Sequence, residues 1–423
     1  MPLTQHPQRV ALHNEVHARP PQALVAPLAL SHVVMVGSAA SREASRAHLA
    51  ALLRDLHLPL PDAQQSYFRM DLGRFQLRWE LHTEFVSWTF LVPLGETPGT
   101  AGTPARALDA VPQDWFAGLP GECLVSLNLW VLGLEAQTTV RQQLQEDHLV
   151  GAAVAGGSGQ VYTDFMIHPD GASRMVLLAG AMSTRRLGRL VQRLIEIETY
   201  RMAALLGLPA ARAASSVLGD AERELAELAG AIRSARREDE PLLLDRLTRL
   251  AGAVESQHAT THSRFSASAA YFELVDKRIR DIQESPLPGL QTLGQFMDRR
   301  LNPARSTCEW ATRRQDALSQ RVARISDLLR TRVEIEQQQS SQALLTTMNQ
   351  RQGLQLKLQS TVEGLSVAAI TYYIAGLVSY IAKGAQPWGW PWSAEGTAAV
   401  AVPVVALGVW WSLRRLHRRV FGA

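Results

Sequence analysis

His13, Glu15 and His17 alternate within HNEVHARPP, with Arg19 two positions further on. In an extended chain such alternation turns the first three side chains to one side. Pro20 and Pro21 lack amide donors and push the preceding residue toward extended geometry. The stretch therefore reads as a loop or an arm, where polar side chains are better functional candidates than in a core. The same spacing recurs in LRWELHTEF, where His82 and Glu84 follow Glu80. Imidazole with carboxylate is a ligand set for zinc or another divalent transition metal. Neither group has the helix-borne H-E-x-x-H spacing. Three readings stand side by side: a metal site, a polar clamp pairing Glu15 or Arg19 with Arg78, Glu80 or His82, and a pocket for a small molecule or nucleotide. In the clamp reading the arm docks against the LRWELHTEF strand.

Other chemistry is thinly signalled. GAAVAGGSGQ, residues 151–160, has the glycine content of a phosphate loop but lacks the Lys-Ser/Thr pair, and it is read as a connection between strands. Scattered histidines identify no Ser-His-Asp or Cys-His arrangement, so the enzyme case is weak. The two cysteines, Cys123 and Cys308, form no CxxC pair and imply neither a zinc knuckle nor a disulfide framework. The net charge is +4, and RRLHRRVFGA at the C-terminus carries four arginines and no acid. The remainder is close to neutral, which argues against a nucleic-acid binder.

The elements that must position these residues fall into two grammars. Up to residue 182, short apolar runs dominate: LSHVVMVG followed by a capped helix, RFQLRWELH, EFVSWTFLVP, ECLVSLNLWVLG, and a hairpin around Asp170-Gly171. From Ser183 nearly everything has helical spacing, with a helical domain over 183–302. Pro303 suits a helix's first turn with Asn302 as cap, and no proline follows until Pro387. A continuous helix from there through the first apolar run would be roughly 120 Å long, a stalk or coiled coil over 303–363. Its stripe is interrupted by EQQQSSQ, polar on every face.

LSVAAITYYIAGLVSYIA and TAAVAVPVVALGVWWSL carry no charge. Each covers roughly 26 Å, close to a bilayer's hydrocarbon thickness. The tryptophans of the intervening loop suit an interface, and Pro403 is tolerable in a span. Spans are thus expected over 364–383 and 397–413, joined by an outer loop over 384–396 and followed by a basic tail over 414–423. The start lacks a signal peptide's apolar core, and basic residues flank both spans on one side. Both termini are therefore expected in the cytosol. The fold class is α+β/α: an N-terminal mixed α/β sheet domain, a helical layer, a long stalk helix and two C-terminal transmembrane helices.

NEVHARPP, LRWELHTEF and TVEGLSVAAITYYIAGLVSYIAKG together resemble an uncharacterised family of membrane-anchored bacterial proteins, a domain of unknown function. The resemblance runs almost the full length and implies an inner-membrane location without an activity. The architecture also resembles the CorA-type divalent-cation transporters, which are pentameric and conduct along the first span. That likeness implies a homo-oligomer in the bilayer, in which the helical face through Glu363, Ser366, Ile370, Tyr373, Leu377 and Tyr380 would line a pore with an acidic collar at Glu363; the other reading of this face is packing, with hydroxyls bonding within or between helices and tyrosines at seams or the interface. The family's Gly-Met-Asn motif is missing, however: Ile381-Ala382-Lys383-Gly384 stands in its place. A lysine there repels cations. The alternative is a membrane-tethered binding or regulatory module.

Overall fold

The computed structural model describes residues 5–10, 12–13, 21–62, 65–95, 104–236 and 238–421. The chain divides into two units, Met1–Ser326 and Asp327–Ala423.

The first unit is built on a nine-stranded mixed sheet. Its strands are β1 (Leu28–Val36), β2 (Tyr67–Asp71), β3 (Gln76–Leu81), β4 (Phe85–Pro93), β5 (Glu122–Gly133), β6 (Val150–Val154), β7 (Gly159–Thr163), β8 (Ser173–Ala179) and β9 (Ser285–Pro286). They lie in the order β2-β3-β4-β1-β5-β8-β7-β6-β9. β1 sits between β4 and β5, antiparallel to both, and β5 pairs in parallel with β8. The β3–β4 hairpin follows the two strand patterns read from sequence, and Leu77 lies opposite Phe90 in its register. GAAVAGGSGQ forms β6, a turn and the start of β7. The Asp170-Gly171 turn lies in the loop joining β7 to its antiparallel partner β8.

Alternation sorts the side chains onto two faces. One carries Ala29, Val33, Leu77, Trp79, Trp88, Phe90 and Trp130 and packs against α1 (Ala39–Asp55) through Leu49, Leu52 and Leu53. Ser38 caps α1 by accepting from the Ser41 amide. The indole of Trp79 donates to Ser45 at 3.2 Å and that of Trp130 to the Ala105 carbonyl at 3.1 Å, so these buried rings keep their polar handles satisfied. Two short helices, α2 (Gln113–Ala117) and α3 (Gln137–Gln143), border the same core.

The other face is covered by helices. α4 (Thr184–Leu205) buries Leu187, Leu190, Val191, Leu194, Ile195 and Ile197. α5 (Gly207–Ser234) and α4 both pack on α6 (Glu240–Asp281). α7 (Leu293–Arg300) starts with a Thr292/Gln295 capping box, and Glu284 accepts from the amides of Leu293 and Gly294. The beginning of α8 (Asn302–Ala385) belongs to this layer: Arg314 grips Glu222 through two bonds of 2.6 and 2.8 Å, and Gln315 donates to Thr261 at 2.8 Å.

In the second unit α8 continues without a break through EQQQSSQ, Gly353 and Gly364 to Ala385, and α9 (Ala394–Phe421) follows. Among the described residues three helical stretches are long and apolar enough to cross a membrane: Thr184–Ser234, Asn302–Trp388 and Ala394–Ser412. The most apolar windows of the last two are only 17% and 6% buried, against 33% for the first, whose leucines and isoleucines fill the sheet–helix core. Ile370, Tyr373, Leu377 and Tyr380 are exposed along one side of α8, while Thr371, Ala375 and Ala382 are buried on another. Trp388, Trp390 and Trp392 are exposed between the apolar segments.

Candidate functional site

β3 reads Gln-Leu-Arg-Trp-Glu-Leu, and its period of two points Leu77 and Trp79 into the α1 core and Arg78 and Glu80 toward α4. On β4, Ser87 and Thr89 share that second face, opposite Glu80 and Arg78 in register. On β1 it carries His32, opposite Thr89. A polar cavity of about 230 Å³ lies where these strands meet the helices. Arg78, Glu80, His82, Glu196, Tyr200 and Arg278 are among its walls, and His32 and Thr199 lie at its sheet–helix seam.

The charges in the cavity are of both signs. Arg78 Nε lies 3.4 Å from Glu80 Oε2, and Ser87 donates to the same carboxylate at 3.3 Å. Arg278 pairs with Glu196, whose other oxygen accepts from Gln192 at 3.0 Å, and Arg278 also reaches Asp281 at 3.1 Å. Arg78 and Glu80 are each only 8% exposed. Arg78 Nε makes no hydrogen bond among the described residues, and its Nη2 reaches Thr89 only at 3.5 Å. A buried guanidinium with an unsatisfied donor is costly.

His32 is held on both ring nitrogens, by Thr89 at 2.9 Å and Thr199 at 3.0 Å. Burial, with Arg78 and His82 adding positive charge nearby, lowers its pKa from 6.5 to about 3. It is therefore a neutral hydrogen-bonding post at neutral pH and ties β1 to α4. An aromatic wall follows: His82 lies 4.4 Å from Phe85 between ring centroids, and Tyr200 stacks on Tyr271 at 5.8 Å.

The residues singled out from sequence are distributed as follows. Glu80 and His82 line this cavity. Glu84 does not: the turn after Leu81, closed by the His82 amide on the Phe85 carbonyl, sends it to Arg264 of α6 at 2.9 Å. There burial and Glu84 together raise the pKa of Tyr271. Glu15, His17 and Arg19 lie outside the described residues, and His13 lies at the end of a short helical turn. The chain just after the arm is placed: the Gln22 side chain donates to Gln76 at the start of β3, and the Leu24 amide donates to the Thr184 carbonyl at 3.0 Å. Gly188 allows this, since a Cβ there would overlap the Gln22 carbonyl oxygen. Among the described residues no group of three or more His, Cys, Asp or Glu side chains is placed to hold a metal ion.

Sequence reading missed His32, Ser87, Gln192, Glu196, Thr199, Tyr200 and Arg278. A signal was present for the strand members, because His32, Ser87 and Thr89 interrupt otherwise apolar runs. The helix members had none, since Glu196 and Tyr200 read as the solvated side of an amphipathic helix.

The fold and cavity define a helix-covered mixed-sheet protein with a small two-sign polar pocket and apolar helices at its C-terminal end. The chain belongs to the family described as protein of unknown function (DUF3422), whose sequence model matches residues 4–420. No curated protein and no solved structure matches the chain.

Proposed function

We propose that the chain is a membrane-anchored binding module of the bacterial inner membrane, with both termini cytosolic, whose sheet–helix cavity takes a small solute bearing both charge types. The observation that carries this reading is Arg78: a buried guanidinium, incompletely bonded, at the wall of an open polar cavity. Buried ion pairs are poor stabilisers compared with apolar packing. Their presence at a cavity wall is better explained by a ligand that completes them. A cavity of about 230 Å³ suits an amino-acid-sized solute. The test is a thermal-shift panel of amino acids, betaines and small polyols on the detergent-solubilised chain. A solute at a hundred times its Kd adds about 2.7 kcal/mol to stability. Gln192→Trp, which fills the cavity, is expected to abolish the shift; a shift that survives places the ligand elsewhere.

CorA-like cation conduction is a second reading, supported by the exposed row Ile370, Tyr373, Leu377 and Tyr380 in line with Ser366 and Glu363 on one helix. It requires a ring of chains. Light scattering of the solubilised particle that gives a pentamer, with flux lowered by Glu363→Ala, keeps it; a monomer or dimer removes it.

A further inference from the structure

Several arginines of the helical layer are matched to carboxylates: Arg201 to Glu198, Arg264 to Glu84, Arg305 to Asp276 and Arg314 to Glu222. Another group is gathered around a cleft. Arg186, Arg189 and Arg193 follow one another on one face of α4, and Arg280 approaches from the end of α6, around a cavity of about 300 Å³ separate from the one above. Asp281 is the one carboxylate lining it, and it is shared between Arg278 at 3.1 Å and Arg193 at 4.0 Å. Arg189 and Arg280 have no carboxylate within ion-pair distance among the described residues.

Two features hold the group together. Arg186 donates to the Ala155 carbonyl at 2.6 Å and Arg193 to the Asp281 carbonyl at 2.9 Å. The Ala155 amide in turn donates to the Ile282 carbonyl at 2.8 Å, fastening the β6–β7 turn to the end of α6. That turn is the glycine-rich stretch. Ala155, Gly156 and Gly157 all have positive φ, and a Cβ on Gly156 would stand 3.8 Å from the Arg186 guanidinium.

This arrangement works against the protein's own stability. Like charges three and four residues apart on a helix repel. The first turn of α4, which holds Arg185 and Arg186 and no acid, presents positive charge to the positive end of the helix dipole. A bound anion reverses the sign of both effects. Guanidinium groups are suited to phosphate oxygens through paired N–H donors, and the cavity has room for a diphosphate or a sugar phosphate.

We infer that the cleft between α4, the end of α6 and the β6–β7 turn is an anion site that takes a phosphate-bearing group, with Arg189 and Arg280 as its free donors and Arg186 and Arg193 as its fixed walls. The group belongs either to a soluble phosphorylated metabolite or to an anionic lipid headgroup. This is independent of the solute cavity.

Two arms of one experiment separate the sources. In the first, inorganic pyrophosphate is titrated calorimetrically into the full chain in non-ionic detergent at low ionic strength. Saturable binding is expected that weakens as salt is added. The Arg189→Gln/Arg280→Gln variant should bind at least about tenfold more weakly, a loss of about 1.4 kcal/mol, and Arg280→Lys should keep part of the affinity. In the second, the unfolding midpoint is measured in phosphatidylcholine nanodiscs with and without phosphatidylglycerol. A rise with phosphatidylglycerol in the wild type, absent in the double variant and accompanied by no pyrophosphate binding, assigns the site to a lipid headgroup. If neither probe distinguishes the wild type from the double variant, the cleft is not an anion site and the inference is overturned. Both glutamine changes fall on exposed side chains, so the variant is expected to fold.

Discussion

His32 shows how one buried side chain gives the protein a measurable pH dependence. Its ring sits between Thr89 and Thr199, and burial depresses its pKa to about 3. Above about pH 6.5, the ordinary value, neither the folded nor the unfolded chain carries a proton there. As the pH falls from about 6.5 toward 3, only the unfolded chain gains one, so stability is lost at up to about 1.4 kcal/mol per pH unit. His32→Gln keeps a side chain able to bond both threonines and removes the titration. Denaturant unfolding of wild type and variant between pH 7 and pH 4 should therefore show a steeper decline for the wild type, the gap narrowing as the pH drops. Parallel curves would mean that the ring is protonated in the fold, and the neutral-post role would be lost.

At the scale of elements, the informative crossing is between the chain at Gln22 and Leu24 and α4. Gly188 faces the Gln22 carbonyl, and the obstacle to a side chain there is backbone rather than a flexible side-chain tip. Gly188→Ala would gain about 1 kcal/mol of helix propensity. Against that stands overpacking, typically 1–3 kcal/mol, because backbone tied down at Leu24 by the Thr184 carbonyl and at Gln22 by Gln76 moves poorly. The clash is expected to win: a lower unfolding midpoint and faster proteolytic cleavage before Leu24. A raised midpoint with unchanged cleavage would show that the arm yields freely. Much of this level was legible beforehand. The β3–β4 hairpin and the helices after Ser183 have clean periods of two and 3.6, and long amphipathic segments announce themselves. β2, with its mixed YFRMD, and the short alanine- and glycine-rich β6 do not, because neither shows an apolar alternation long enough to separate strand from loop. The cavity was half visible. Glu80 and His82 stood out by type and spacing, but the residues that share their cavity from α4 and α6 are more than a hundred positions away, and only the packing of those helices over the sheet brings Glu196 and Arg278 to the same wall. Glu84 fell on the wrong side of a tight turn that alternation cannot anticipate.

For the whole molecule, the question is which of the three apolar helical stretches could meet lipid. Hydropathy alone admits all three, but burial divides them. The stretch beginning at Thr184 supplies Leu190, Leu194 and Ile197 to the core over the sheet, where Trp79, Trp88 and Trp130 are also sealed. The later two display Tyr373, Leu377, Val404 and Leu407 to their surroundings at roughly two-thirds exposure or more. In water each such side chain forfeits a burial energy of about 1.5–3 kcal/mol, so several together make a bilayer or another apolar surface the stable setting. Deleting residues 364–423 should then move the chain from the carbonate-washed membrane pellet to the soluble fraction. Because the first unit's core lies wholly within residues 1–326, its unfolding midpoint in the same detergent should stay within about 2 °C of the full chain's, a change of under about 1 kcal/mol. A shortened chain that still sediments with membranes would transfer the anchor to the helices after Ser183. That would require the α4–α5 layer to leave the sheet, exposing the face that carries His32, Arg78 and Glu80, and the solute cavity would go with it.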